Sequence, residues 1–280
     1  MARIRVVTDS ACDLNADLAA EQGLTIVPLS IRFGSEEFVD GSTLSTDDFW
    51  ARCAASPVLP ETSAPSPGAF QAAFVAAADE GYDGVLSISL SAGVSATYQA
   101  AVTAAKTVED RIPVRTIDSR SMTMGQGLMA LDLAELAAGG AALDEVAARA
   151  DYLIPRTRVF GVVDTLEHLE KGGRIGGARA LLGSLLSIKP VVTLFDGVVA
   201  EESKQRTRSR SLRYLADKAK TAAPLSRLAV CNGAATDIDG FLEMMEGVQT
   251  QHPLVVVDLG PVVGTHTGPG TIGVCMVALD

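Results

Sequence analysis

The chain has 280 residues, 48% of them hydrophobic, enough for about two domains and a large buried core. Its 23 basic and 34 acidic residues leave a net charge of −11. That balance argues against a nucleic-acid binder, whose affinity rests on Lys and Arg meeting phosphate, and against attraction to an anionic membrane surface. The apolar excess either lines a cavity for an apolar ligand or reflects an alanine-rich composition.

Strand and helix patterns alternate along the first half. "IRVVTD" (Ile4–Asp9) predicts a strand, and Asn15–Glu21 an amphipathic helix. "LTIVPLSIRFG" predicts a second strand, with "EEFVDG" pairing against its end. Thr46–Ala54 and Pro67–Ala78 predict helices, "GVLSISL" a strand and Ser95–Thr107 a helix. "VRTID" is a strand, followed by helices at Met122–Ala138 and Leu143–Leu153. This punctuation predicts a mainly parallel sheet covered by helices.

The rhythm restarts after Pro155. "RVFGVVDT" predicts a strand, Gly176–Ser187 a helix, and "KPVVTLFDGVVAEES" two strands joined by a hairpin turn at Asp196-Gly197. Ser209–Ala222 predicts a helix, "RLAVCNG" a strand, Ile238–Glu246 a helix. "HPLVVVDLG" and "TIGVCMVALD" close the pattern as strands. The expected architecture is two α/β domains, residues 1–155 and 156–280, the second with a mixed sheet and a ligand cleft between the two. Cys12, Cys53, Cys231 and Cys275 form no CxxC pair and read as small buried hydrophobes. Reduced thiols, no signal-peptide pattern and no long apolar run read as a cytoplasmic protein without stable membrane insertion.

Six stretches offer chemistry. In "VTDSACDL", Asp9 and Ser10 follow a strand, where α/β sheets bind ligands, while Asp13 reads as a helix N-cap. In "ETSAPSPGAF", Ser66 caps a helix with Pro67 at its first position, leaving Thr62 and Ser63 unexplained. In "SISLSAGVSATYQAA", Ser91 and Ser95 flank a helix N-terminus, which favours anions. Gly93-Val-Ser95-Ala-Thr97 nearly fits a nucleophile elbow, but the last glycine is Thr97 and no acid partner for a histidine base is evident. In "EKGGRIGGARALL", Arg174 sits between glycine pairs, suited to holding a carboxylate or to a salt bridge between domains. "KQRTRSRSLR" places five basic residues on an acidic chain, a solvated face or a patch for an acidic partner.

"THTGPGTIG" contains Gly268-Pro-Gly270-Thr-Ile-Gly273, formally a dinucleotide fingerprint. The fingerprint needs a strand before it and a helix after it. The residues after Gly273 read as a strand instead, so no cofactor is expected. His168, His252 and His266 make no metal-ligand spacing, and no metal is expected. His266 beside the glycine-rich turn reads as a hydrogen-bonding residue.

Taken together, "VTDSACDL", "TSAPSP", "SLSAGVSATYQAA", "EKGGRIGG", "KQRTRSR" and "THTGPGTIG" occur in the order expected of the DegV family, and the resemblance spans nearly the whole chain. It implies two α/β domains holding a long-chain fatty acid between them. It further implies a non-enzymatic carrier that, like the FakB subunit of bacterial fatty acid kinase, presents the acyl carboxylate to a separate kinase subunit for phosphorylation to an acyl phosphate. Thr62 and Ser95 match the family's carboxylate-binding hydroxyls, and His266 its head-group histidine. Ser63 and Ser91 are helpers beside them. Arg174 and Arg206 match family arginines, Arg206 facing the partner kinase. Ala96 departs from the family's usual glycine after the serine, and Ala92-Gly93 departs from its Ser and larger residue. The competing readings are a serine-dependent acyl-ester hydrolase using Ser95, and a lipid-responsive regulatory protein.

Overall fold

A computed structural model describes residues 1–279, with side chains outside 182–187. Asp280, the last residue of the final predicted strand, lies outside the described residues. The strands are β1 (Ile4–Asp9), β2 (Thr25–Val27), β3 (Ser30–Phe33), β4 (Glu36–Val39), β5 (Glu61–Ser63), β6 (Gly84–Ser89), β7 (Val114–Asp118), β8 (Thr157–Val162), β9 (Lys189–Phe195), β10 (Val198–Gln205), β11 (Leu225–Gly233), β12 (Val255–Asp258) and β13 (Thr271–Ala278). The helices are α1 (Ala16–Glu21), α2 (Thr46–Ala55), α3 (Pro67–Asp79), α4 (Thr97–Thr107), α5 (Thr123–Ala138), α6 (Leu143–Leu153), α7 (Glu167–Lys171), α8 (Arg208–Ala222), α9 (Ile238–Met245) and α10 (Pro261–Thr267).

The fold is α/β with three sheets. A four-stranded sheet runs β2-β1-β6-β7, all parallel. A six-stranded sheet runs β10-β9-β8-β13-β11-β12, mixed because β11 and β12 are parallel and its other pairs antiparallel. A small antiparallel sheet runs β4-β3-β5. The predicted hairpin at Asp196-Gly197 joins β9 to β10, with Val198 opposite Phe195.

Helix α5 holds the two large sheets together. Thirteen of its 16 residues are buried, only its last turn reaching solvent through Glu135 and Ala138, so it behaves as a central layer rather than an amphipathic cover. One apolar core contains Leu128, Met129 and Leu133 of α5, Val6 and Ile88 of the parallel sheet, and Cys231, Cys275 and Val277 of the mixed one. Its glycines, poor helix formers, have a packing reason: a Cβ on Gly127 would come 2.7 Å from the Cys12 carbonyl oxygen, and one on Gly125 would collide with Val159. The polar residues of α5 tie it on both sides. Gln126 donates to Thr8 at 2.8 Å, Asp132 takes both arms of Arg149 at 2.7 and 2.8 Å, and Glu135 receives Arg227 of β11.

Four sequence expectations change. The single strand over residues 24–34 breaks at Pro28, which has no N–H for a ladder; β2 joins the parallel sheet and β3 the small one. The predicted helix Gly176–Ser187 is 3-10 rather than α-helical. Asp13 is not an N-cap: Asn15 caps α1 through the Leu18 N–H. Asp13 instead ends the 3-10 turn Ser10–Cys12 with φ 54°, and its buried carboxyl accepts from the Gly260 N–H at 3.1 Å. The segment before the glycine-rich turn, given no element from the sequence, is helix α10, with Pro261 at its first position.

Candidate functional site

The arrangement begins with the placement of α10. Its entrance is held by the first half of the chain: Asp13 accepts from Gly260, and the Trp50 indole donates to the Leu259 carbonyl at 3.2 Å. Gly264 packs beneath Phe49 and Trp50, where a Cβ would sit 2.8 Å from the Phe49 ring. His266 lies in the last turn of α10. The edge strand β5 pairs with β3, Thr62 opposite Ile31, and this sets Thr62 against the end of α10. Thr62 Oγ1 and His266 Nε2 are 2.8 Å apart, although 204 residues separate them in sequence.

The other ring nitrogen, His266 Nδ1, is buried and has no hydrogen-bond partner. It lies against Gly172, where a Cβ would collide with it. An orphaned N–H costs more than an orphaned lone pair, so the proton belongs on Nε2. His266 then donates to Thr62, which frees the Thr62 hydroxyl proton for another acceptor.

Beneath this pair runs an apolar cavity. Its walls include Leu29, Leu90, Val94 and Met122 from the first half, and Val159, Val163, Leu169, Val192, Leu194, Val199, Leu259, Val262 and Val263 from the second. It is narrow: the centre of a water-sized sphere can move through only about 90 Å³ of it. Its polar lining residues include Thr62, Ser95, Arg174 and His266. Thr62, Arg174 and His266 also line an adjoining outer groove with Pro57–Pro60, Glu61, Glu167, His168 and Lys171. These three residues therefore mark a mouth, with apolar wall on one side and a groove of mixed polar and apolar lining on the other.

The remaining sequence candidates divide. Ser95 lines the cavity, its Oγ 2.9 Å from Thr97 Oγ1. Arg174 reaches across the two halves through a carbonyl rather than an acid, donating from Nε to the Val94 oxygen at 3.1 Å and from Nη1 to the Gly172 oxygen at 2.7 Å. Ser91 is buried and does not line the cavity; it donates to the Gly197 carbonyl at 2.6 Å and so docks the β9–β10 turn onto the first half. Ser63 is exposed, its side chain on the opposite face of β5 from Thr62. Arg206 is exposed and away from the cavity. Asp9 and Ser10 are occupied locally: Asp9 accepts from Leu90 and Ala11, and Ser10 from Leu29.

Ser95 and Thr97 share a hydroxyl–hydroxyl bond that either can donate, and His266 bonds Thr62 and takes no carboxylate partner among the described residues. The glycines of "GPG" serve a helix-to-strand turn, Gly268 at φ 78° and Gly270 at φ 81°, the reverse of the order a dinucleotide fingerprint needs. Among the described residues, no group of three or more His, Cys, Asp or Glu is placed to hold a metal, and no helix is long and apolar enough to cross a membrane.

Sequence reasoning missed Gly172 as a site residue, reading it only as a turn. It also missed Thr123, Thr267 and Thr271, which line the cavity. Thr123 opens α5 at φ 48°, and its Oγ1 lies 3.2 Å from Cys231 Sγ. A β-branched residue in that region carries strain of roughly 1–3 kcal/mol. No local pattern betrays it.

Comparison with known proteins gives a consistent result. The model of a family described as "uncharacterised protein, DegV family" matches residues 3–279. A DegV domain-containing protein of Streptomyces coelicolor is 36% identical over 279 residues, 97% of each chain. Another, of Halalkalibacterium halodurans, is 35% identical over 280 residues, 98% of each chain. Among solved structures, a DegV family protein of Thermus thermophilus described for its fatty acid binding superposes with a TM-score of 0.89 at 32% identity, covering 99% of this chain and all of its own. DegV of Bacillus subtilis, described as a fatty acid binding protein, superposes at 0.88 with 29% identity over 100% of both chains. A stearic acid-binding protein of Eubacterium ventriosum gives 0.89 at 27%, over 99% of this chain and 98% of its own.

Burial, with the positive charge of Arg174 nearby, holds His266 down to a pKa of about 4. For a base with a lowered folded pKa, stability is lost as pH falls below the ordinary value toward the folded one. The expected outcome in an NMR titration of the ligand-free protein is a His266 ring resonance that stays put from pH 8 to about 5.5. A midpoint near the ordinary histidine value of about 6.5 would show the ring to be solvated.

Proposed function

The chain belongs to the DegV family, and from that premise we propose that it binds a long-chain fatty acid, tail in the apolar cavity and carboxylate at the Thr62–His266 mouth. The observation that carries this reading is the cavity itself, apolar along its walls and ending where Thr62, Arg174 and His266 meet the outer groove. Each buried methylene gains about 0.8 kcal/mol, so roughly ten supply about 8 kcal/mol, near micromolar affinity before ordering costs. The tail provides affinity. A carboxylate leaving water needs donors or it costs several kcal/mol. The free Thr62 proton, the Ser95 hydroxyl and the Arg174 guanidinium are such donors, so the head provides orientation.

In the same reading the protein is a carrier, and a separate fatty acid kinase phosphorylates the carboxylate it presents. Two features support this part. The mouth residues border a groove rather than closing over the head group. Arg206, Arg210 and Arg213 are exposed, with no ion pair among the described residues, on a chain of net charge −11. Such a patch suits an acidic partner.

Removing the Thr62 hydroxyl tests the head group. Thr62→Val is expected to weaken palmitate binding about tenfold, the worth of one hydrogen bond to a charged group, while leaving palmityl alcohol binding nearly unchanged; Thr62→Ser retains the wild-type values. Equal losses for acid and alcohol would contradict the assignment. For the partner, Arg206→Ala is expected to keep palmitate affinity but lose acyl phosphate formation with a fatty acid kinase and ATP. Undiminished phosphorylation would remove Arg206 from that surface.

A further inference from the structure

One rung of the mixed sheet is unusual. Across four adjacent strands it reads Val192, Gly161, Gly273, Cys231, with Gly161 directly opposite Gly273. A strand interior is a poor place for glycine, which adds no side chain to the pleat and costs backbone entropy. Two glycines face to face leave a dent in the floor of the sheet, and both line the cavity.

Packing within the protein does not account for Gly161. A Cβ built on Gly161 would find only the Val192 side chain within 4 Å, at an ordinary 3.7 Å. One on Gly273 would meet its own sheet first, tightly at the Cys231 Cβ, 3.3 Å away, and then at the Phe160 carbonyl, 3.7 Å away. Gly161, although mid-sheet, is not fully buried, and it lines the cavity. Neither residue has positive φ, so neither is glycine for conformational reasons. A strand glycine with empty space above it marks a place where a ligand comes close to the backbone.

The position along the cavity is also defined. Thr271, two residues before Gly273 on the same face of β13, comes after the turn that leaves α10 and its His266. Val159, two residues before Gly161 on β8, lies on the other side of the rung. The dent therefore lies between the Thr271 end of β13, which follows α10, and the wall formed by Val159 and Leu194.

Resting on the fatty-acid reading, we infer that the Gly161–Gly273 pair is where the acyl chain crosses the floor of the sheet, and that the empty space above Gly161 sets which chain lengths the protein accepts. A side chain at Gly161 fills the path without disturbing a neighbour. Acids ending short of the rung are unaffected, while longer ones lose burial of the methylenes that lie beyond it.

The test is competition. An equimolar mixture of even-chain saturated acids from decanoate to stearate is offered to the wild type and to Gly161→Val, and native mass spectrometry reports which are bound. The bound ratio of decanoate to stearate is expected to rise at least about tenfold in the variant, equivalent to losing about two buried methylenes. An unchanged ratio overturns the inference, and so does a uniform loss of all lengths. If Gly161→Val retains no acid at all, Gly161→Ala decides: a rise of about threefold supports the inference, an unchanged ratio overturns it. A wild type that binds no acid in the mixture defeats the fatty-acid reading instead, a result distinct from either variant outcome.

Discussion

The site depends on a helix buried between two sheets. Because all but the last turn of α5 is buried, the parallel and mixed sheets cannot separate without exposing one shared apolar core. That fixes the cavity walls, which come from both halves of the chain. It also fixes the mouth. The first half reaches over to hold the start of α10 through Asp13 and Trp50, and α10 delivers His266 to Thr62 from its far end. The Thr62–His266 geometry is thus a consequence of how the two sheets share one central layer.

The division of labour within the cavity comes from magnitudes. Apolar burial scales with chain length and is indifferent to direction. Hydrogen bonds add little net energy but are expensive to omit once a charge is buried. On the reading we propose, the walls set how tightly an acyl chain is held, and the mouth sets which end faces out. His266 serves this scheme as a neutral ring. Held at a pKa of about 4, it contributes no positive charge at neutral pH and acts by orienting Thr62. Arg174 is the permanent cation at the mouth, and its links to the Val94 and Gly172 carbonyls keep it in place.

Much of the architecture was legible in the sequence because its signals are local. The Asp196-Gly197 turn, the Ser66-Pro67 helix start and the alternation of strands with helices each depend on neighbours in the chain. Thr62, Ser95, Arg174 and His266 emerged from a resemblance of motifs, and the structure brings all four to one cavity. The hidden features depended on contacts between distant residues. Pro28 splits a strand because its two sides join different sheets. Asp13 gave up its expected cap to bind Gly260, 247 residues away. The helix carrying His266 had a signal that went unread, Pro261 at its first position. Gly161 and Gly273 became informative only when the register placed them opposite each other.

The central claim is that a fatty acid occupies the cavity, and the most direct measurement is native mass spectrometry of the protein as purified, followed by organic extraction and identification of the released material. The account predicts one fatty acid per chain, freed by solvent and recovered as a carboxylic acid. A protein that carries no lipid, and that also declines palmitate when it is added, would contradict it.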